Sequence, residues 1–285
     1  MLFRHLIWTA LVVALAMGSL QTALQHRWAV PVILAAEVFE AGATSQATES
    51  SSTHQDGHSH DDAHAYPAQL LAGSHEHEHA QEWAPADGYE RTFWSWVANV
   101  LDTLALTLLA FAALATAQLV SNRRGDRAVR AFPAGMVVAA MGWFSLHLWP
   151  ALGLPVELPG MEAADLTARQ GWWLWAVVSA LAACALLTLS RQSWRWPLAA
   201  LLLALPFVAG APHLAGDPLA AFGPEAQAQM RELQVRFGLV SHLLAATQWL
   251  GIGCLGGWLF ARWVLPHLTQ PMRRDTTSIP LKQTP

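Results

Sequence analysis

Six apolar stretches constrain the fold of this chain more than any other feature. They lie near residues 4–24, 93–120, 132–152, 172–190, 196–213 and 238–265. Each approaches the roughly 20 residues that an α-helix needs to cross the hydrocarbon core of a bilayer. The chain is 54% hydrophobic and only 13% charged, which is more apolar than a soluble domain of this size. We therefore predict an all-α, polytopic integral membrane protein with about six transmembrane helices.

The arginines predict the orientation of these helices, because basic residues in short connections stay on the cytoplasmic side. Such connections follow the second, fourth and sixth stretches, and their basic residues are Arg123, Arg124, Arg127, Arg130, Arg191, Arg195, Arg273, Arg274 and Lys282. The opposite connections contain nearly all the acidic residues. This alternation predicts both termini in the cytoplasm and the long segment 25–92 outside.

The same pattern divides the chain into four parts. We predict a first transmembrane helix or uncleaved signal anchor at 1–24, an extracytoplasmic loop at 25–92, a five-helix membrane bundle at 93–265 and a cytoplasmic tail at 266–285. Arg4 before an apolar run that contains small residues also resembles a cleaved signal peptide. The run is longer than the roughly 7–15 residues of a signal core, which favours a retained helix.

A cluster of histidines and carboxylates marks the long loop. Its histidines are His54, His58, His60, His64, His75, His77 and His79, and carboxylates such as Asp61 and Glu76 lie between them. Imidazole nitrogen binds cobalt, nickel, copper and zinc, and carboxylates concentrate cations. Few large apolar side chains occur here, so we expect a disordered loop that orders when metal binds. The alternative is a solvated tether that binds no ion.

Ionisable groups within the apolar stretches are costly and point to function. Asp102 lies in the outer half of the second stretch, one helical turn from Asn99. His147 and His242 lie near the outer ends of the third and sixth stretches. We predict an outer cation site formed by Asp102, His147 and His242, with His213 as a possible rim member. The alternatives are hydrogen-bonded interfacial histidines and a carboxylate that caps a helix.

Glycines in the sixth stretch predict close helix packing. Gly253 and Gly257 have the GxxxG spacing of tightly packed transmembrane helices, and Gly251 and Gly256 widen the face of small residues.

The sequence lacks the motifs of several classes of enzyme and nucleotide-binding protein. The only lysine is Lys282 in the tail, which excludes a phosphate-binding P-loop, and no GxSxG or HExxH motif occurs. Cys184 and Cys254 are too far apart for a CxxC motif. We expect no enzymatic activity, no catalytic cofactor and no nucleic-acid partner, because the chain has no basic nucleic-acid footprint.

The segment from Leu148 to Trp173, LWPALGLPVELPGMEAADLTARQGWW, closely resembles the central motif of the CbtA family of probable cobalt transporter subunits. The opening RHLIWTALVVALAMG and the later AGAPHLAGDP are similar in character to other parts of that family. Family members commonly have two prolines where Pro155 is followed by Val156, which affects only local loop shape. Within the motif, Glu157, Glu162, Asp165 and Arg169 either guide a cation or pair with one another, and we favour pairing.

The resemblance implies Co²⁺ as the transported ion, a bacterial cytoplasmic (inner) membrane, a role in cobalamin synthesis and a small His-bearing membrane partner, CbtB. The ligand types alone leave Ni²⁺ and Zn²⁺ open. We predict a cobalt uptake subunit whose partners are membrane lipids, CbtB and a divalent ion. The alternatives are a non-conducting metal sensor or scaffold, and an exporter of nickel or zinc. Export is less favoured because His267 is the only predicted ligand on the cytoplasmic side.

Overall fold

The computed structural model describes residues 2–39, 85, 86, 88–123 and 130–269. The regular structure of these residues is entirely helical, as predicted. The helices are α1 Leu2–Trp28, α2 Val30–Phe39, α3 Tyr89–Arg123, α4 Ala131–Ala151, α5 Leu166–Leu189, α6 Arg195–Ala209 and α7 Pro224–Leu268. Short π-helical turns interrupt α4 at Phe144–Leu148 and α7 at Ile252–Gly256 and Phe260–Val264.

Five of the described helices, α1, α3, α4, α5 and α7, are long and apolar enough to cross a membrane. This confirms the prediction of a polytopic membrane protein. The predicted span 196–213 is instead the 15-residue helix α6. At about 1.5 Å per residue α6 is about 22 Å long, shorter than the roughly 30 Å of bilayer hydrocarbon. It ends at Gly210, whose φ of +87° favours glycine.

The structure extends helices into two segments that the sequence assigned to connections. Residues 30–39, within the predicted outer loop, form α2, and α7 begins at Pro224 rather than near residue 238. The additional turns of α7 contain good helix formers but many polar residues, so hydropathy does not detect them. Because α7 has 45 residues, it is about 67 Å long, and its first turns must project beyond the hydrocarbon.

The helical bundle has two chemically different ends. We call the end that carries Arg123, Arg130, Arg191 and Arg195 the arginine end, and the opposite one, where α3, α5 and α7 begin, the loop end.

A small cap covers the loop end. Its buried apolar side chains come from α2, from the connection between α4 and α5, from the connection between α6 and α7, and from the first turns of α7. They are Val32, Ala36, Leu158, Leu219, Phe222 and Met230. Ion pairs join Arg91 to Glu37 and Arg231 to Asp217. The cap therefore connects the projecting part of α7 to the other segments at the loop end.

The favoured pairing within the central motif is confirmed for Arg169 and Glu157. Nη2 of Arg169 lies 2.6 Å from Oε2 of Glu157. Asp165 caps α5 by accepting a 2.8 Å hydrogen bond from the backbone N–H of Ala168.

The main core lies between α1, α3, α4 and α7. Phe111 of α3 and Phe260 of α7 are fully buried there, with ring centroids 5.3 Å apart. Close approach of α4 to α7 confirms the predicted packing role of the glycines. A Cβ atom added at Gly135 would lie 2.8 Å from the Cα of Gly257. The two backbones can approach this closely only because neither residue carries a side chain.

Candidate functional site

His147 and His242 meet near the loop end of the bundle. Nε2 of His147 on α4 lies 2.8 Å from Nδ1 of His242 on α7, and both side chains are half-buried. Their ring centroids are 4.9 Å apart and the rings are nearly perpendicular. One neutral imidazole donates its N–H to the ring nitrogen of the other in such a contact, so the two nitrogens face each other. Imidazole nitrogen is a ligand type that divalent transition metals bind.

A π-helical turn positions His147. The segment Phe144–Leu148 carries this residue, with a backbone hydrogen bond from Trp149 to Phe144 across it. Such turns are rare, and they frequently occur at functional sites because they change the direction of a side chain within a helix. The distortion of α4 therefore lies at the residue that reaches α7.

Asp102 lies beside the histidine pair rather than within it. Its Oδ2 accepts a 2.7 Å hydrogen bond from Nε2 of Gln248, which is also 3.2 Å from Oγ1 of Thr103. Gln248 is buried, whereas Asp102 is exposed at the bundle surface. Gln248 follows His242 by six residues on α7, which corresponds to about 9 Å along the helix axis.

The structure thus brings His147 and His242 together and places Asp102 of α3 against Gln248, about 9 Å along α7 from His242. Among the residues that the structure describes, no group of three or more His, Cys, Asp or Glu side chains is arranged to hold a metal ion. A cation at the histidine pair would therefore need further ligands from water, from another molecule or from residues outside the described part of the chain.

A cluster of amides adjoins Asp102 on α3. Asn99 and Gln25 of α1 exchange hydrogen bonds of 2.8 and 3.1 Å, and Asn99 also donates to Oγ1 of Thr22 at 3.0 Å. Thr103 donates to the carbonyl of Asn99 at 2.7 Å. The polar face of α3 that sequence predicted from Asn99 and Asp102 therefore contacts α1 through one residue and α7 through the other.

Sequence reasoning missed Gln25 and Gln248 because neutral amides in apolar helices were not counted as site residues. Polar side chains in a membrane helix are themselves a signal, since each needs a hydrogen-bond partner. Two further polar atoms in this region, Oε1 of Gln21 and Oγ1 of Thr107, are buried without a hydrogen-bond partner among the described residues.

The remaining predicted site residues lie elsewhere. His213 is exposed in the segment after α6, rather than at the end of a membrane span. His54, His58, His60, His64, His75, His77 and His79, together with Asp61 and Glu76, lie outside the described residues. The predicted metal capture and disorder of that loop remain predictions.

Long apolar helices with polar and histidine groups gathered near one end define a polytopic helical membrane protein. A family model described as probable cobalt transporter subunit (CbtA) matches residues 3–261. The chain therefore belongs to the CbtA family of probable cobalt transporter subunits. Searches of curated proteins and of solved structures found no match.

Proposed function

We propose that this chain is the membrane subunit of a cobalt uptake transporter in the bacterial inner membrane, supplying Co²⁺ for cobalamin synthesis. The outer His-rich loop concentrates the ion, and an outer cation site near the loop end admits it to the bundle. The contact between His147 and His242 is the observation that carries the proposal, because it brings together two nitrogen ligands from distant parts of the chain.

The geometry of this pair suits a transferred ion better than a permanently bound one. Two nitrogens bound to one metal at about 2.1 Å lie about 3–4 Å apart, so the pair opens slightly from its observed 2.8 Å separation when an ion enters. Two imidazoles leave several positions of a Co²⁺ shell to water, which favours exchange. A fixed structural site would close the shell with protein ligands.

Asp102 gives the site its negative charge. Its carboxylate lies at the bundle surface, and the hydrogen bond from Gln248 holds one oxygen in place. The electrical potential of the membrane favours inward movement of a divalent ion by about 4.6 kcal/mol at 100 mV. The chain needs no nucleotide-driven step for downhill entry.

The incomplete shell also supports a partner. We propose that the small His-bearing membrane subunit CbtB supplies further ligands, since the described residues contain no three-ligand group. Orientation follows from the arginines: the loop end faces outward and the arginine end faces the cytoplasm.

Uptake of radioactive Co²⁺ into vesicles tests the proposal. The purified chain is reconstituted alone and together with CbtB, in vesicles whose membrane potential is negative inside. We expect uptake by the intact chain, strong loss with Asp102→Asn, and weaker uptake only at low Co²⁺ after deletion of residues 54–79. His26→Asn, a change at an exposed histidine at the end of α1, is the matched control.

One result would contradict uptake by this chain, and another would contradict the role of Asp102. If Co²⁺ binds but does not enter vesicles with or without CbtB, the chain acts as a non-conducting sensor or scaffold that delivers metal to another transporter. If Asp102→Asn leaves uptake and folded abundance unchanged, the carboxylate has no part in the path.

A further inference from the structure

A second pair of histidines lies at the arginine end of the bundle. His5 is in the first turns of α1 and His267 is in the last turn of α7. Their rings are stacked, with centroids 4.1 Å apart and an interplanar angle of 21°. Both side chains are half-buried. The contact joins the two ends of the described chain across a separation of more than 260 residues.

We propose that His5 and His267 form a second binding site for a divalent transition metal, at the opposite end of the bundle from His147 and His242. Imidazole nitrogens on one metal at about 2.1 Å lie about 3–4 Å apart, a separation that rings stacked at 4.1 Å reach by rotation of the side chains. Neutral imidazole is a good ligand for cobalt, nickel, copper and zinc.

Helix α7 connects the two sites. It carries His242 at one site and His267 at the other, 25 residues apart. At about 1.5 Å per residue these positions are about 37 Å apart along the helix. The hydrocarbon core of a bilayer is about 30 Å thick. The two histidine pairs therefore lie on opposite sides of the hydrocarbon, as two ends of a membrane path would.

The net charges of the described residues at the two ends of the bundle differ in sign. All the carboxylates of the described residues lie toward the loop end, and they are Glu37, Glu90, Asp102, Glu157, Glu162, Asp165, Asp217, Glu225 and Glu232. The pair at the arginine end has Arg4 beside His5 in sequence and Arg262 about one turn before His267. Positive neighbours repel a bound cation and lower the affinity of the site.

A low-affinity site at the cytoplasmic end suits release of the ion. This role rests on the proposed function, whereas metal binding by the pair does not. The sequence predicted His267 as the only ligand on this side, whereas the structure places His5 against it. His5 lies 262 positions from His267 along the chain. Only the packing of α1 against α7 brings the two residues together.

Binding of Cu²⁺, a paramagnetic probe that prefers imidazole, tests the site. The full chain is used with the seven loop histidines replaced by serine, so that their ligands do not compete. We expect two Cu²⁺ ions per chain and a distance between them of about 37 Å by pulsed electron paramagnetic resonance. His5→Asn and His267→Asn should each remove one ion and abolish the distance. His26→Asn should change neither.

The ion at His147 and His242 serves as an internal folding control, because its signal should persist in the His5 and His267 variants. Persistence of two ions and of the distance in those variants would overturn the second site. Uptake of Co²⁺ separates the two proposals: binding at both pairs without flux contradicts transport alone, whereas flux with only one bound Cu²⁺ contradicts the second site alone. If both proposals hold, His267→Asn should reduce Co²⁺ entry into vesicles.

Discussion

Nε2 of His147 lies 2.8 Å from Nδ1 of His242, so residues 95 positions apart in the chain share one contact near the loop end. Either histidine by itself could be a hydrogen-bonded residue at the membrane interface or a metal ligand. Together they present two nitrogens from different helices, and a small opening of the pair lets one ion bind both.

His147→Asn and His242→Asn should each lower Co²⁺ affinity by at least about tenfold, because each removes one of two ligands. If both bind the same ion, the double variant should be little worse than either single variant. Calorimetric titration of the chain lacking residues 54–79 measures this directly. The His26→Asn variant should bind like the parent, and simple additivity of the two effects would contradict a shared ion.

Gln248→Leu should reduce Co²⁺ uptake without loss of folded protein. The substitution keeps the side-chain volume similar but removes the donor that holds Oδ2 of Asp102. Because Gln248 acts through Asp102, adding Asp102→Asn should cause little further loss.

Uptake kinetics of the two single variants and the double variant check this expectation. Folded yield and thermal unfolding in detergent are measured in parallel. If the loss of uptake in the double variant equals the product of the two single losses, Gln248 has a role separate from that of Asp102.

Gly135→Ala should lower the free energy of unfolding by about 1–3 kcal/mol, the usual cost of overpacking. The added methyl group would meet backbone atoms of Gly257 and Gly253, which cannot move independently of α7. Thermal unfolding in detergent gives the change. Gly171→Ala on α5 is the matched control, because no atom lies within 4 Å of its added Cβ. That control should be neutral or more stable by up to about 1 kcal/mol.

Trp172→Phe should destabilise the contact between α5 and α6 by about 1–3 kcal/mol, since it leaves a buried carbonyl without its donor. Nε1 of Trp172 donates a 2.9 Å hydrogen bond to the carbonyl oxygen of Pro206. Trp173, the next residue, is 40% exposed, and its replacement by Phe should stay within about 0.5 kcal/mol. Equal effects of the two substitutions on thermal unfolding would show that the hydrogen bond contributes little.

Sequence predicted the long helices well because their apolar runs are a direct consequence of the bilayer. It was weaker where a helix is polar or short. The first turns of α7 are rich in Gln and Glu and continue a membrane helix outside the hydrocarbon. The apolar stretch that contains α6 is stopped at Gly210 by a positive φ, which hydropathy does not report.

The candidate site was predicted in part. Asp102, His147 and His242 stand out because ionisable residues are rare in membrane helices. Their mutual arrangement was not predictable, and Asp102 pairs with Gln248 rather than joining the histidines. The stacking of His5 on His267 had no sequence signal, since each is an ordinary residue near a helix end.

The amino-acid sequence by itself determined the helical class, the approximate spans, the uneven distribution of arginines and carboxylates, and the resemblance that led to the CbtA family. These properties depend on local composition, because the bilayer imposes its requirements of length, hydropathy and charge on each helix separately. Only the tertiary structure decided which polar side chains meet. Contacts such as His147 with His242 depend on the rotation of each helix, on the π-helical turn in α4 and on the close glycine packing of α4 against α7. None of these is set by the composition of a single helix.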